Sequence, residues 1–257
     1  MRIYIMGLGN MGSWFARHLR EKHRVFGYDR DQRKTEALRN DIEIAAPQEL
    51  RDDPPDLVLN AVSLKETIPA FEQVMEYIRE ETVLCDIASI KGDIPRYYEK
   101  KKAKFLSMHP MFGPTFANMN KLKGENVVFI RGSDKDAVNF FKNFFKRFRV
   151  KFFELSFEEH DKMMAYSLTV PFISSLVFAS CVENKVVPGT TFAKHLKIAK
   201  GLLWEDDHLL GEILFNPYSL PELEKITGRL EHLKHIIKQR DYDELSKVLS
   251  RIRSNIA

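Results

Sequence analysis

Cysteine is almost absent: Cys85 and Cys181 are the two in a chain of 257 residues. They stand far apart in apolar surroundings, the pattern of reduced, buried thiols, which excludes a disulfide-stapled scaffold. A surplus of one charge is lacking too. Forty Lys and Arg against 36 Asp and Glu leave a formal +4, too mild to call for nucleic acid and suited to a small anionic substrate. No unbroken apolar run reaches the ~18 residues of a membrane span, and Met1 leads into an ordinary strand without a signal-peptide pattern. A cytoplasmic protein with no membrane partner is expected. Repeats and low-complexity tracts are also missing, and the densest basic run, EKKKAKF at Glu99 to Phe105, reads as a solvated helix end before a strand.

What is present is a change of rhythm half-way along. Short apolar runs alternate with amphipathic stretches in the first half, as in a parallel sheet built from strand–helix–strand units. The runs are Arg2 to Met6, Val25 to Asp29, Leu57 to Val62, Thr82 to Ile87, Lys104 to His109, Asn126 to Arg131 and Val150 to Leu155, with helices starting near Met11, Asp31, Ile68 and Asp134. From Phe157 the periodicity is helical throughout. A helix over Ser156 to Lys185, a helical section from Thr191 to Leu214, and closing helices from Leu220 and Asp241 predict an all-α second domain. The fold class is therefore α/β: an N-terminal Rossmann-type dinucleotide-binding domain, residues 1–153, and a C-terminal all-α dimerisation and substrate domain, residues 154–257. Its first helix is apolar nearly all round, which predicts burial on more than one side and a homodimer.

IMGLGNMG places Gly7, Gly9 and Gly12 in G-x-G-x-x-G spacing after a strand and before a helix, with Asp29 ending the next strand. In that context the glycines serve a tight turn, a close approach to pyrophosphate and helix–sheet contact, so the turn Gly7, Leu8, Gly9, Asn10, Met11 and Gly12 is the expected cofactor cradle. Asp29 favours NAD by accepting the ribose hydroxyls. Arg30 and Arg33 follow at once and could meet a 2′-phosphate, which keeps NADP open. Ala61, Val62 and Ser63, closing the run from Leu57, fall where such sheets meet ribose and nicotinamide.

GLGNMG, DIASIK at Asp86 to Lys91, HPMFGP at His109 to Pro114, EEHDKMMA at Glu158 to Ala165 and KIA at Lys197 to Ala199, in that order, resemble the prephenate dehydrogenase family. The resemblance implies NAD(P)-dependent oxidative decarboxylation of prephenate to 4-hydroxyphenylpyruvate, in tyrosine biosynthesis. His109, braced by Pro110 and Pro114, is the expected acceptor for the substrate hydroxyl, with Ser89 orienting both. Met111 and Gly113 are expected against the substrate. The family's arginine from the helical domain is matched here by Lys197, with Lys194, His195 and Lys200 nearby. Where some members read S-H-L-P-H, this chain has Leu168, Thr169, Val170, Pro171 and Phe172, so Thr169 is the remaining hydrogen-bonding candidate. Lys91 stays open between a cofactor contact and a surface charge. His160 and Asp161 read as a helix-start contact, and His232 with His235 as surface residues and no metal site.

Three other readings stay open: arogenate dehydrogenase, a β-hydroxyacid dehydrogenase sharing the GLGxMG fingerprint, and an NAD-binding regulatory or interaction module. Relatives in this pathway are often fused to chorismate mutase, so association with that enzyme is a further expectation.

Overall fold

The computed structural model describes residues 1–113, 117–183 and 187–256. Eight strands form one sheet in the order β3-β2-β1-β4-β5-β6-β7-β8. They are β1 (Arg2–Met6), β2 (Arg24–Tyr28), β3 (Glu43–Ile44), β4 (Leu57–Asn60), β5 (Val83–Asp86), β6 (Phe105–Pro110), β7 (Asn126–Ile130) and β8 (Lys151–Leu155). Every residue of β4 and β5 is buried, as a strand covered by helices on both faces requires. One face is covered by α1 (Asn10–Leu19) and α5 (Lys135–Lys146), which contribute Trp14, Phe15, Phe141 and Phe145 to the core. The other carries α3 (Thr67–Val74) and α4 (Ile94–Lys101), packed through Phe71, Tyr97 and Tyr98, while α2 (Gln32–Glu36) buries none of its residues. The strand order turns back between β1 and β4, which opens a crevice at their carboxyl ends.

Two features differ from the expectation. The sheet is mixed, because β6 and β7 pair antiparallel. Between them the described residues 111–113 and 117–125 form no crossover helix, so the chain returns from the end it left. The short β3 was not among the expected elements, and α4 was expected only through its solvated end in the Glu99 to Phe105 run, with no start assigned. Helix α4 carries few apolar residues beyond Ile94, Tyr97 and Tyr98, which weakens its signal.

The second half is helical: α6 (Phe157–Met164), a π turn (Ala165–Thr169), α7 (Val170–Ser180), α8 (Thr190–Leu203), α9 (Asp207–Leu214), α10 (Ser219–Gln239) and α11 (Tyr242–Ile256). Strand β8 carries the sheet two residues beyond the expected boundary at 153, and Ser156 then starts α6 with a reciprocal capping box to Glu159. The section expected from Thr191 to Leu214 is two helices, because Asp206 caps a new one by accepting from the amides of His208 and Leu209. The expected helix end at Lys185 lies outside the described residues. Cys85 is buried, but Cys181 is exposed at the end of α7, contrary to expectation.

The helical run Phe157–Ser180 is 24 residues long and contains an 18-residue window of mean hydropathy 1.5, long and apolar enough to cross a membrane by length and composition alone. The unbroken apolar runs within it stay shorter than a span, because Tyr166, Ser167, Thr169, Pro171, Ser174 and Ser175 interrupt them. Within one chain no residue of α7 is buried, so the expected burial on several sides is not met there.

Candidate active site

The turn after β1 is built around two glycines. Gly7 adopts φ +86°, and a side chain on it would strike the Ala61 carbonyl at 2.8 Å. A Cβ on Gly12 would lie 1.8 Å from the Gly7 carbonyl oxygen, so α1 leaves the sheet at a distance that only glycine permits. Above Gly9 nothing lies within 4 Å, which leaves the first amides of α1 open to a pyrophosphate. Leu8 itself is buried, and its amide donates to Asp29 Oδ2 at 2.8 Å, while the Asp31 amide donates to Oδ1 at 2.9 Å. The Asp29 carboxylate is thereby fixed at the rim of a cavity of about 290 Å³, lined also by Gly7, Gly9, Arg30, Lys34, Ala61, Val62 and Ser63. Arg30 pairs with Glu66 at 2.8 Å, and Arg33 folds back onto Asp31 at 2.9 Å. These residues fit an NAD-type cofactor: an open amide cradle, a carboxylate for the ribose, and two arginines engaged by their own acids.

A second cavity, of about 580 Å³, shares Ala61, Val62 and Ser63 with the first, so the two adjoin at the carboxyl ends of the strands. Asn10, Met11, Ser89, His109, Met111 and Gly113 line it. The helical half closes it with Leu168 of the π turn, Phe172 of α7, and Leu209 and Ile213 of α9. Most of the expected cofactor and substrate residues thus meet in one place. Ser89 belongs to the lining and does not cap α4, which starts five residues later.

His109 is the penultimate residue of β6, beside the buried Pro110; Pro114, the second expected brace, lies outside the described residues. The imidazole is 6% exposed, and its Nδ1 is 3.0 Å from Nε2 of the fully buried His160. His160 Nδ1 is in turn 2.8 Å from Asp161 Oδ1. Burial pushes the His109 pKa well below its ordinary value, with smaller contributions from His160 and Lys91; His160 is lowered too, again chiefly by burial. Both rings are neutral near pH 7, and His109 can accept a proton.

Lys91 is neither a surface charge nor a cofactor contact. It is buried, and its ammonium donates to Asp86 Oδ1 at 2.7 Å and to the Met108 carbonyl at 2.9 Å, directly under the residue preceding His109. Tyr98 donates to the other Asp86 oxygen at 2.9 Å. The amides of Lys91 and Gly92 donate to the Asp161 carboxylate at 3.1 and 3.3 Å, which ties the Ser89 loop to α6.

Two expected substrate residues do not reach the cavity. Thr169 is fully buried in the helical packing, its hydroxyl 2.7 Å from that of Ser219, so its hydrogen bond is spent between helices. Lys197 is exposed on α8, outside the lining. Among the described residues no Lys or Arg lines the cavity, whereas Glu125 and Glu205 do. Sequence reasoning missed the apolar helical wall and the placement of His160 and Asp161 behind His109; EEHDKMMA signalled the pair as a family motif, but its two residues read locally as a helix-start contact.

A family model described as the nucleotide-binding domain of prephenate dehydrogenase matches residues 15–154. The chain belongs to the prephenate dehydrogenase family. Similar proteins bear the same names. A probable arogenate/prephenate dehydrogenase of Methanocaldococcus jannaschii is 24% identical over 272 residues, covering 95% of this chain and 58% of the relative. The crystal structure of prephenate dehydrogenase from Aquifex aeolicus, in complex with hydroxyphenyl propionate and NAD+, superposes with a TM-score of 0.83 at 21% identity, covering 99% of this chain and 96% of that one. Synechocystis arogenate dehydrogenase gives 0.76 at 18% identity, covering 99% and 98%. The chain spans 40 to 58% of the length of the curated relatives it matches. A fold of this family with a Rossmann-type nucleotide-binding half is thus shared with these structures.

Proposed function

We propose that the protein is an NAD-dependent prephenate dehydrogenase that oxidatively decarboxylates prephenate to 4-hydroxyphenylpyruvate. The observation that carries this reading is the adjacency of two cavities: the dinucleotide groove and the space lined by His109 and Ser89 share Ala61, Val62 and Ser63 as a common wall. Bound NAD supplies the hydride acceptor there. The chain's own residues do the rest. His109, neutral and buried, accepts the hydrogen bond of the ring C4 hydroxyl and takes up its proton as the carbon–oxygen bond gains double-bond character. Ser89 orients that hydroxyl. Loss of carbon dioxide restores aromaticity, so no strong acid or base is needed for that step, and the proton returns to the phenol oxygen. Leu168, Phe172, Leu209 and Ile213 hold the apolar ring and exclude water. The fixed Asp29 carboxylate, with Arg30 and Arg33 already paired, supports NAD over NADP.

A homodimer through the helical half belongs to the same reading, supported by the exposed apolar side chains of α7, α8, α10 and α11. One observation favours a second substrate. The Glu125 carboxylate, which lines the cavity, suits the ammonium group that arogenate carries in place of the keto oxygen.

The test mixes purified protein with prephenate or arogenate and with each nicotinamide cofactor, following absorbance of the reduced form. Reduction of NAD with prephenate, falling by about 10²- to 10⁴-fold in His109→Asn with the fold intact, is the expected result. No reduction with either substrate would remove the reading.

A further inference from the structure

We propose that His160 and Asp161 are positioning residues that fix the tautomer of His109 and share the proton it borrows during turnover. This rests on the dehydrogenase reading above and adds a role that His109 alone does not have.

The argument runs inward from the carboxylate. Asp161 Oδ1 lies 2.8 Å from His160 Nδ1, and a carboxylate only accepts, so that nitrogen carries hydrogen. In the neutral ring His160 Nε2 is then a lone pair, and at 3.0 Å it accepts from His109 Nδ1–H. The remaining nitrogen of His109, Nε2, is left as the bare acceptor, and among the described residues no protein group bonds it. Asp161 is itself held by the amides of Lys91 and Gly92, and Asn216 donates to its backbone carbonyl at 2.9 Å. The chain His109, His160, Asp161 therefore has one direction, set at its outer end.

The same chain moves charge without moving atoms far. As the substrate O–H bond breaks, its electron pair stays on oxygen to form the carbonyl, and the proton bonds to His109 Nε2. The Nδ1 proton of His109 can then pass to His160 Nε2, making an imidazolium beside the Asp161 carboxylate. When carbon dioxide leaves, the ring electrons return to oxygen and the proton retraces the path to give the phenol. No proton is gained or lost overall. The charged groups facing the two rings are Lys91 from the loop after β5, Asp86 from β5 and Asp161 from α6. Lys91 disfavours a second positive charge on His109 itself, which makes a remote carrier paired with Asp161 useful.

His160→Gln tests this. Glutamine can accept from His109 Nδ1 but cannot hold a proton. We expect kcat to fall about ten- to hundredfold with KM for the cyclohexadienyl substrate within about threefold. The acid limb of kcat/KM should move from its position in the parent, because His109 then titrates alone and no longer as one member of a coupled pair. An equal loss at every pH with an unmoved limb, or a kcat within about twofold of the parent, would overturn the proposal. Nitrogen-15 histidine spectra of the unsubstituted protein give a second measure that needs neither a stable variant nor turnover. Hydrogen on Nδ1 of both neutral rings is expected, and hydrogen on Nε2 of His109 would overturn the assignment even if the dehydrogenase activity holds.

Discussion

At the scale of single residues, the histidine and lysine that matter most are buried polar groups whose partners lie far off in sequence. Lys91 meets Asp86, Tyr98 and the Met108 carbonyl in a dry pocket. Lys91→Met should cost about 3–5 kcal/mol, because it leaves a buried carboxylate without its cation. Thermal unfolding would show this as a lower Tm, and an unchanged Tm would mean that Asp86 takes up a proton or water at no cost. The two buried histidines carry a pH signature. Their folded pKa values lie below those of the unfolded chain, so the unfolded state binds more protons beneath about pH 6.5. Their contribution is whole above that pH and is lost as the pH falls toward the folded values. The Tm should drop between about pH 6.5 and 5, and His109→Asn should flatten the slope. His109 itself was legible from HPMFGP. His160 was not, since an imidazole 51 positions away in sequence leaves no trace in local spacing.

Elements tell a similar story of local signals read well and tertiary ones missed. The first strand, glycine turn and α1 were plain because each glycine has a steric reason that sequence spacing encodes. Gly12→Ala should therefore push α1 away from the Gly7 carbonyl and weaken NAD binding by at least about tenfold, since a 1.8 Å contact forces the turn apart. Calorimetric titration with NAD checks this, and an unaltered affinity would mean that the turn absorbs a methyl group freely. The antiparallel β7 was illegible, because a strand's own residues do not say which way its neighbour runs. Thr169 was misplaced for a related reason. The π turn from Ala165 to Thr169 rotates the helix so that Leu168 faces the cavity while Thr169 turns to Ser219, and no periodicity argument anticipates a single wide turn.

On the scale of the whole molecule, the halves differ in how well they cover themselves. The sheet half has two dense cores, but the helical half leaves Tyr166, Val177, Leu203, Leu230 and Ile237 exposed. Sedimentation in detergent-free buffer should give a dimer that persists at micromolar concentration, and two charges placed together on α7, as Val177→Glu with Ile173→Glu, should shift it toward monomer. A monodisperse monomer, or protein that stays in suspension only with lipid, would count against the second copy. Finally, each half carries one tryptophan. Trp14 is packed against Phe112, three residues beyond His109, at 5.9 Å between ring centres, whereas Trp204 on the helical half is 86% exposed. The molecule thus holds two built-in fluorophores of contrasting environment, a blue-shifted one packed behind Phe112 of the cavity wall and a red-shifted one on the outer helices. Occupancy of the groove and assembly of the helices could be followed separately by light alone, with no label attached.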